Sequence, residues 1–478
     1  MKSSTSLSPD QPSPSQHAPG PAIPDSSAST EGSSASSEGS SAITEGAASG
    51  KAGSSAAPGS VSGSRFARLP QLAGRSFIPL GLFARLPLAM LTVGTLTVVT
   101  SNSGSYALGG TAAGAVGIGS ALGAPVLGTL ADRRGQRPVL LFAAALNTAA
   151  VVALILAAAV LGTAGSFAAG VLAAAFLSGA SCPQVGPLAR VRWMALTSQG
   201  SEVDNRRDLD TALSYESTAD EITFVLGPAL VGILASLLAP WLPLALAAAM
   251  TITLVPAFAA HRTHRAVPVI RRRAVPAGPR PPLPAGQQTA RPGLPASVAV
   301  PVLAMVCMGT FFGSAQAALS SFSAHYASSE IAGLLYAVMG LSSAAAALSV
   351  AYWPQRFSLA WRWILSAALM AALAVLLLMP ASLGSMVLVL LVLGVPVGPV
   401  MVTVFAVGGV VAPAGRLGTV MTALASGIVA GTAIGSAVGG RLAQDHGYGA
   451  AFLVPACAAA ALALLGAAAA VVLQRRQA

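Results

Sequence analysis

Long stretches of mostly apolar residues constrain this chain more than any other feature. We count about twelve, and each is close to the length of about 20 residues that a helix needs to cross a bilayer. The chain is 54% hydrophobic and only 9% charged, far more apolar than one soluble core accommodates. The sequence therefore predicts an all-α polytopic membrane protein. The stretches lie near 78–100, 106–130, 138–161, 165–189, 212–236, 241–260, 298–320, 330–352, 361–380, 383–406, 416–440 and 449–473.

Two segments lack this apolar character. Residues 1–75 are rich in Ser, Ala, Gly and Pro and show no apolar period, which predicts a disordered tail and no cleaved signal peptide. Residues 261–296 hold seven arginines between repeated prolines, which predicts an extended basic linker. This linker separates six apolar stretches in residues 76–260, the first half, from six in residues 297–478, the second half.

The formal net charge of +11 is carried in the gaps between the apolar stretches. Loops rich in Lys and Arg stay on the cytoplasmic side of a membrane. We therefore expect both termini and the linker to be cytoplasmic, and a lipid bilayer rather than nucleic acid to be the partner. The arginines that set this orientation outside the linker are Arg133, Arg134, Arg137, Arg190, Arg192, Arg206, Arg207, Arg356, Arg362 and Arg416.

The loop between the second and third apolar stretches carries a specific order of Gly, Asp and Arg. It resembles the G-x-L-x-D-R-x-G-R-[KR] signature of the major facilitator superfamily, and Gln136 departs from that pattern. The resemblance covers roughly residues 84–474 and implies a bacterial permease with twelve transmembrane helices in two six-helix bundles, in the cell inner membrane. The matching residues are Gly128, Leu130, Asp132, Arg133, Gly135 and Arg137.

Within this resemblance, Asp132 lies against the N-terminus of the eleventh helix and acts as a latch in one conformation. Unpaired backbone N–H groups and the helix dipole favour an anion at that position. We expect Arg133 and Arg137 to supply its side-chain partners. The alternative is a solvated carboxylate in an ordinary loop.

Small residues recur at every fourth position of the eleventh apolar stretch, which lets another helix approach closely. Such a seam serves either static packing or, as the resemblance implies, a smooth surface along which the second and eleventh helices slide. The second helix has a comparable surface in Gly110, Gly114, Gly119 and Gly123. The residues of the seam are Gly427, Gly431, Gly435 and Gly439.

Gly227 and Pro228, in the fifth apolar stretch, resemble part of the G-x-x-x-G-P-x-x-G-G element of proton-coupled drug antiporters. Thr223 and Val231 stand where that element has glycine. A packing kink is the alternative interpretation. The arginine that those antiporters carry near the start of the fourth helix is also absent from residues 164–189, so the resemblance to drug exporters is partial.

Three acids, Glu216, Asp220 and Glu221, form a cluster near the start of the fifth predicted helix. Carboxylates inside a membrane are costly and usually functional, which makes these residues candidate proton carriers. Arg190 and Arg192 are expected on the same side of the membrane, so a structural salt-bridge network is the alternative.

Polar and aromatic residues within the apolar stretches are candidates for a substrate pocket: Tyr106, Gln184, Phe311, Phe312 and Gln316. A mostly apolar, weakly charged cavity favours a neutral or cationic hydrophobic substrate. No phosphate-binding loop of the G-x-x-x-x-G-K-[ST] type, no catalytic arrangement and no metal-ligand spacing occurs in the sequence. We therefore expect no enzyme activity and no cofactor.

The resemblance implies secondary active transport of a small molecule by a monomer, with protons as a candidate coupling ion. Export of an amphipathic or drug-like compound is slightly favoured over uptake. The alternative from another class is a membrane protein of the same fold that no longer transports and instead senses a ligand or binds a partner.

The charge distribution makes a prediction about topology. In a variant without the native Cys182, Cys307 and Cys457, we expect Val275→Cys in the linker to resist an impermeant thiol reagent in intact cells and to react after permeabilisation. Ser382→Cys, in a predicted outer loop, is the matched control and should react in both. Strong labelling of position 275 in intact cells would show that the linker is outside.

Overall fold

The computed structural model describes residues 65–164, 168–199, 201–268, 295–327 and 331–477. These residues form helices and no strand. They include twelve helical spans that are long and apolar enough to cross a membrane. The prediction of an all-α polytopic membrane protein with twelve spans is confirmed.

Six spans precede the linker. They are α1 (Phe77–Ser103), α2 (Tyr106–Arg134), α3 (Gln136–Ala164), α4 in two pieces, α4a (Ala168–Ala180) and α4b (Val185–Leu196), α5 (Glu202–Leu237) and α6 (Leu242–Ala260). Six follow it: α7 (Ala296–Tyr326), α8 (Ile331–Ser349), α9 (Leu359–Ala374), α10 (Leu383–Val411), α11 (Leu417–Ala451) and α12 (Leu453–Gln477).

Successive spans run in opposite directions, so the connections α2–α3, α4–α5, α8–α9 and α10–α11 lie at one end of the bundle. This end also holds the start of α1 and the end of α6. We call it the arginine-rich end, because it carries Arg133, Arg137, Arg206, Arg356 and Arg416.

Two helices extend beyond their predicted limits at this end. Helix α5 begins at Glu202 rather than near residue 212, since Ser201 caps it by accepting the Asp204 backbone N–H at 3.3 Å. Its first turns are charged, and a search for apolar stretches misses them. Helix α4 continues to Leu196 rather than ending at residue 189, which moves Arg190 and Arg192 from a predicted loop into the bundle.

The segment just before α1 is helical, although we predicted it as part of the disordered tail. Residues Arg65–Arg68 form a 3-10 turn and Leu69–Ala73 a short helix. The segment is held because Leu69 is buried, Arg68 pairs with Asp208 of α5 at 3.3 Å, and the Phe66 ring lies 6.1 Å from the Tyr352 ring. The prediction is therefore wrong for residues 65–73, and residues 1–64 lie outside the described part of the chain.

Most of the basic linker also lies outside the described residues, at 269–294. The part that is described, Arg262–Ala266, continues from α6 as a 3-10 helix. Its first turn is held by His261, whose ring lies 3.1 Å from the Thr263 hydroxyl.

The glycines of α11 pack against α7, within the second half. A Cβ atom at Gly427 would lie 2.9 Å from the Val302 carbonyl oxygen, and one at Gly431 would overlap the Val306 carbonyl. A Cβ atom added at Gly435 or Gly439 would come similarly close to Thr310 or Ser314 of α7. The α2 glycines Gly119 and Gly123 instead meet the backbone of α4a. The expectation of a sliding surface formed by the α11 seam is therefore wrong, because these glycines, like Gly119 and Gly123 of α2, are used for close contact within a half. The two other glycines that we expected on this surface of α2, Gly110 and Gly114, make no such contact.

In the first half, Gly227 has the same use. A Cβ atom there would lie 2.6 Å from the Ala89 Cβ atom, so Gly227 lets α5 approach α1 closely. Pro228 lies inside the continuous helix α5.

The contact between α7 and α11 generates a prediction about stability. Gly431→Ala should lower the thermal unfolding midpoint in detergent, because the new methyl group overlaps the α7 backbone; overpacking of this kind costs about 1–3 kcal/mol. Gly440→Ala on the same helix is the control, since a Cβ atom at Gly440 meets nothing within 4 Å. Equal midpoints for the two variants would contradict the proposed contact.

Candidate functional site

A break in α4 shapes the site. Pro183 lacks a backbone N–H, and the helix is interrupted between Ala180 and Val185. The Gln184 side chain donates to the Cys182 carbonyl oxygen at 2.9 Å and stabilises the interruption. Helix α4b then carries three large side chains into the bundle. These are Arg190, Arg192 and Trp193, at 1%, 0% and 0% relative exposure.

Two arginines and two acids form a buried network that joins α1, α4b and α5. The Arg85 guanidinium contacts Glu216 at 2.6 Å and Asp220 at 2.8 Å. Arg190 contacts the second oxygen of Asp220 at 2.7 Å, and the Trp193 indole N–H donates to Glu216 at 2.8 Å. We call Arg85, Arg190, Glu216 and Asp220 the buried quartet. Its formal charges cancel, which offsets the desolvation of four ions.

Backbone and aromatic groups complete the coordination of the quartet. Arg85 Nε donates to the Gly81 carbonyl oxygen at 2.9 Å. The Arg190 guanidinium lies 3.8 Å from the centroid of the Phe405 ring of α10, a cation–π contact between the halves. Gly186 leaves room for the network, since a Cβ atom there would lie 3.3 Å from Asp220 Oδ1.

Glu221 differs from its two acidic neighbours. It is 6% exposed, and its Oε1 accepts the Ser343 hydroxyl of α8 at 2.9 Å. Among the described residues, no Lys, Arg or His side chain forms an ion pair with it. Glu221 is thus a buried carboxyl group at the contact between the halves, held by a hydroxyl group alone.

Arg192 has a separate environment. It donates to Gln136 at 2.8 Å, to the Phe258 carbonyl oxygen at 2.8 Å and to the Thr263 hydroxyl at 3.0 Å. It therefore ties α4b to the start of α3 and the end of α6. Burial lowers the pKa of the nearby His261, and the positive charge of Arg192 lowers it further.

A cavity lies between the halves, beside the quartet. Its volume is about 60 Å³, room for a few water molecules. Three of the lining residues are charged, so the expectation of a weakly charged cavity is wrong. The lining residues are Arg85, Leu88, Ala89, Ser120, Ala124, Gln184, Gly186, Pro187, Arg190, Asp220, Thr223, Phe224, Phe405, Ala425, Ser426, Ile428 and Val429.

Only one of the predicted pocket residues lines this cavity, Gln184. Phe311 and Phe312 are buried in the core of the second half, where their rings pack edge to face. Gln316 is exposed on α7, away from the cavity lining. Tyr106 begins α2, but its side chain lies outside the described part of the structure. The expectation that these residues share one pocket is wrong for Phe311, Phe312 and Gln316, because the core of the second half takes up the aromatic pair.

The arginine-rich end is closed by contacts between the halves. Asp132, at the end of α2, accepts the backbone N–H groups of Gly418 at 2.8 Å and Thr419 at 2.7 Å, and the Thr419 hydroxyl at 2.7 Å. The carboxylate therefore caps the first turn of α11 from the opposite half. Gly128 permits this approach, since a Cβ atom there would overlap the Thr422 hydroxyl.

Asp132 uses partners other than those we expected. Its hydrogen bonds go to α11, and no ion pair with Arg133 or Arg137 occurs in the described structure. Arg133 lies in the last turn of α2 and Arg137 in the first turn of α3. The chain turns between them at Gly135, whose φ is +89°. Arg416, two residues before Gly418, instead adds a favourable positive charge.

Further polar contacts join α5 to the second half. Asp210 pairs with Arg362 at 3.0 Å and accepts the Gln355 amide at 3.0 Å. The Thr218 hydroxyl lies 3.1 Å from the Ala344 carbonyl oxygen of α8. Together with Glu221 and Ser343, these contacts run along one side of α5.

The salt-bridge alternative for the acid cluster holds for two of the three acids, and a role of the cluster in carrying protons stays a prediction. Glu216 and Asp220 belong to a salt-bridge network, whereas Glu221 does not. Sequence reasoning missed Arg85, although it is the only charged residue in α1. It also placed Arg190 and Arg192 in a loop, because helix ends were assigned at the first charge.

Comparisons with known proteins give a consistent result. Residues 78–426 match the family model described as Major Facilitator Superfamily. A comparison with curated proteins gives no match. Among solved structures, the human organic anion transporter MFSD10 (TETRAN) is similar, with a TM-score of 0.60 and 19% identity over 82% of this chain and 98% of that one.

Two further solved structures share the fold. A bacterial homologue of the iron transporter ferroportin, in the outward-facing state with soaked iron, has a TM-score of 0.63 and 15% identity over 82% of this chain and 98% of its own. The transporter FucP, in the outward conformation, has a TM-score of 0.53 and 15% identity over 83% of this chain and 99% of its own. At these identities the likeness shows the fold alone.

The buried quartet generates a prediction about stability. Arg85→Met should lower the thermal unfolding midpoint strongly, because Glu216 loses its cationic partner; breaking a buried pair costs about 3–5 kcal/mol. The double variant R85M/E216Q should recover part of the loss, since it removes both charges. Arg441→Met is the control, because Arg441 is 83% exposed in its pair with Asp445. An R85M midpoint equal to that of R441M would contradict the network.

Proposed function

Because the chain belongs to the major facilitator superfamily, we propose that it is a secondary active transporter that carries a small molecule across a cell membrane by alternating access. The observation that carries this proposal is the Asp132 contact with α11. It joins the two halves by hydrogen bonds to one helix end, with a cavity between the halves. Such a contact can form in one state and break in another without unfolding either half.

The arrangement corresponds to a state closed at the arginine-rich end. We assign this end to the cytoplasm, which follows from the bias of arginine toward cytoplasmic loops. Both termini and the linker are then cytoplasmic. We propose that the protein works as a monomer in the cell membrane, since the two halves that line the cavity belong to one chain.

The cavity suits an amphipathic compound. Leu88, Phe224, Ile428 and Val429 supply apolar surface. Arg190 Nε, beside the cavity, has no hydrogen-bond partner among the described residues and is placed to donate to a polar group of the substrate. The similar structures carry names with unlike substrates, an organic anion and iron. The substrate proposal therefore rests on the lining residues.

Export of a drug-like compound is the direction we propose. It is supported by the partial antiporter element at Gly227 and Pro228 and by the mixed apolar and charged lining. Protons are the proposed coupling ion, since α5 carries acids at membrane depth.

The experiment that tests transport is counterflow. Purified protein in proteoliposomes is loaded with an unlabelled compound, and uptake of the same radiolabelled compound is measured for a panel of amphipathic amines, acids and neutral dyes. We expect transient accumulation of at least one class above empty liposomes. Saturable binding of a compound without any counterflow would instead favour a sensor on the same fold.

The latch generates a prediction about transport. Asp132→Asn should insert and fold normally but exchange substrate more slowly. The amide loses the charge that the helix terminus favours, worth about 0.3–1 kcal/mol or up to about 2 when partly buried. Since about 1.4 kcal/mol is tenfold in an equilibrium, we expect a loss of roughly two- to thirtyfold. Asp445→Asn is the control, because Asp445 lies on α11 outside the contact between the halves. Equal counterflow rates for both variants at equal protein level would reject the latch.

A further inference from the structure

We infer that Glu221 is the proton-binding site of this transporter, and that the neutral acid holds α5 against α8 in the state described. The inference rests on the alternating access proposed above and names the group that couples it to protons.

The first step is the charge of the site. In the described part of the chain, two guanidinium groups and three carboxyl groups meet around α5, from Arg85, Arg190, Glu216, Asp220 and Glu221. Glu216 and Asp220 each contact at least one arginine within 2.8 Å, and Glu221 contacts none. An isolated carboxylate in a dry interior is far more costly than a neutral acid. A proton on Glu221 makes the whole group neutral.

The second step concerns the surroundings of Glu221. On α8 the ionisable group that faces Glu221 is Tyr336, whose hydroxyl lies close enough to interact electrostatically with the Glu221 carboxyl group. On its own helix Asp220 is adjacent, and its negative charge also opposes ionisation of Glu221. Helices α1 and α4b contribute Arg85 and Arg190, both already bound to the quartet. Helices α6 and α10, which also touch α5, carry no ionisable residue. None of these helices therefore offers Glu221 a positively charged side chain that is not already in the quartet.

The third step is the position of Glu221 between the halves. Its Oε1 accepts the Ser343 hydroxyl at 2.9 Å. A Cβ atom at Gly340, one turn earlier on α8, would lie 3.9 Å from its other oxygen, an ordinary contact distance, and 3.1 Å from the Val225 side chain of α5. Helix α8 therefore lies directly over the carboxyl group, and Gly340 leaves room for the α5 side chain beside it. Loss of the proton puts a negative charge into this contact. Separation of α5 from α8 then gives the carboxylate access to water.

The fourth step is the proton's source. Asp220, the preceding residue, lines the cavity, which has room for a few water molecules. In the closed state, a proton from bulk solution reaches Glu221 through water in the cavity, which relays the proton and is left unchanged. Loss of this proton and opening of the arginine-rich end are coupled, because the charged carboxylate favours the state in which α5 and α8 have parted. One proton is bound on one side and released on the other in each cycle.

The test needs no substrate. Spin labels are placed at Val203→Cys on α5 and Trp361→Cys on α9, both exposed at the arginine-rich end, in a variant without native cysteines. Distances between the labels are measured in lipid nanodiscs from about pH 5 to about pH 9, a range that brackets the titration of buried carboxylic acids. The wild-type background should shift toward longer distances as the pH rises. Glu221→Gln, a permanent mimic of the neutral acid, should keep the short distance throughout.

Two further variants make the result specific. Glu221→Asp keeps an ionisable group and should retain a pH response, whereas Asp445→Asn, an exposed acid outside the contact, should behave as the background. Infrared spectra at neutral pH should show the carbonyl band of a protonated carboxylic acid that E221Q lacks and D445N retains. Equal thermal unfolding midpoints of E221Q and the background exclude a folding defect.

Two outcomes would overturn the inference. One is a distance distribution that does not change with pH in the background, and the other is an E221Q variant that opens with pH as the background does. Counterflow of an amphipathic compound is measured in the same preparations. It distinguishes a wrong proton site from a protein that does not transport at all. A protein that exchanges substrate with no pH-dependent opening is a transporter whose proton site is not Glu221.

Discussion

The first half depends on the ion pairs of the buried quartet, whose formal charges cancel. Its four ions link α1, α4b and α5 in the buried interior of the bundle. Arg85 is eight residues, about 12 Å at 1.5 Å per residue, inside the start of α1. The break at Pro183 and the small residue at Gly186 follow from the same requirement, because they bring α4b close enough for Arg190 to reach Asp220.

The two halves are held internally and joined to each other by different means. Within each half, glycines bring helix backbones together, as at Gly431 against α7 and Gly123 against α4a. Such contacts are closely packed and leave no room for an added methyl group. Several contacts between the halves are polar and local, through Asp132, Asp210 and Glu221. Water can replace these hydrogen bonds when the halves separate. Alternating access requires this combination of rigid halves and contacts between them that can form and break.

The length of the apolar stretches predicts the number of spans, because bilayer thickness fixes the length of a spanning helix. The family resemblance carried by the signature loop also implies the position of Asp132 beside α11, where it accepts hydrogen bonds from Gly418 and Thr419. The site was harder to predict for a physical reason. Arg190, Arg192 and the first turns of α5 are charged. A charged residue in a sequence is assigned to a water-exposed loop unless the residue that pairs with it is known. Those partners, Arg85 with Glu216 and Arg190 with Asp220, come from different helices that only the fold brings together.

The geometry of one helix explains why neighbouring acids on α5 differ in environment. Consecutive residues of an α-helix point about 100° apart, since 3.6 residues make one turn. Glu216 and Asp220 are four residues apart and share the face that meets α1 and α4b, where both arginines lie. Glu221 points round the helix toward α8, where Ser343 and Tyr336 offer hydroxyl groups and no cation. Helix α5 thereby combines ion pairs that join the helices of the first half with one uncompensated acid at the contact with the second half.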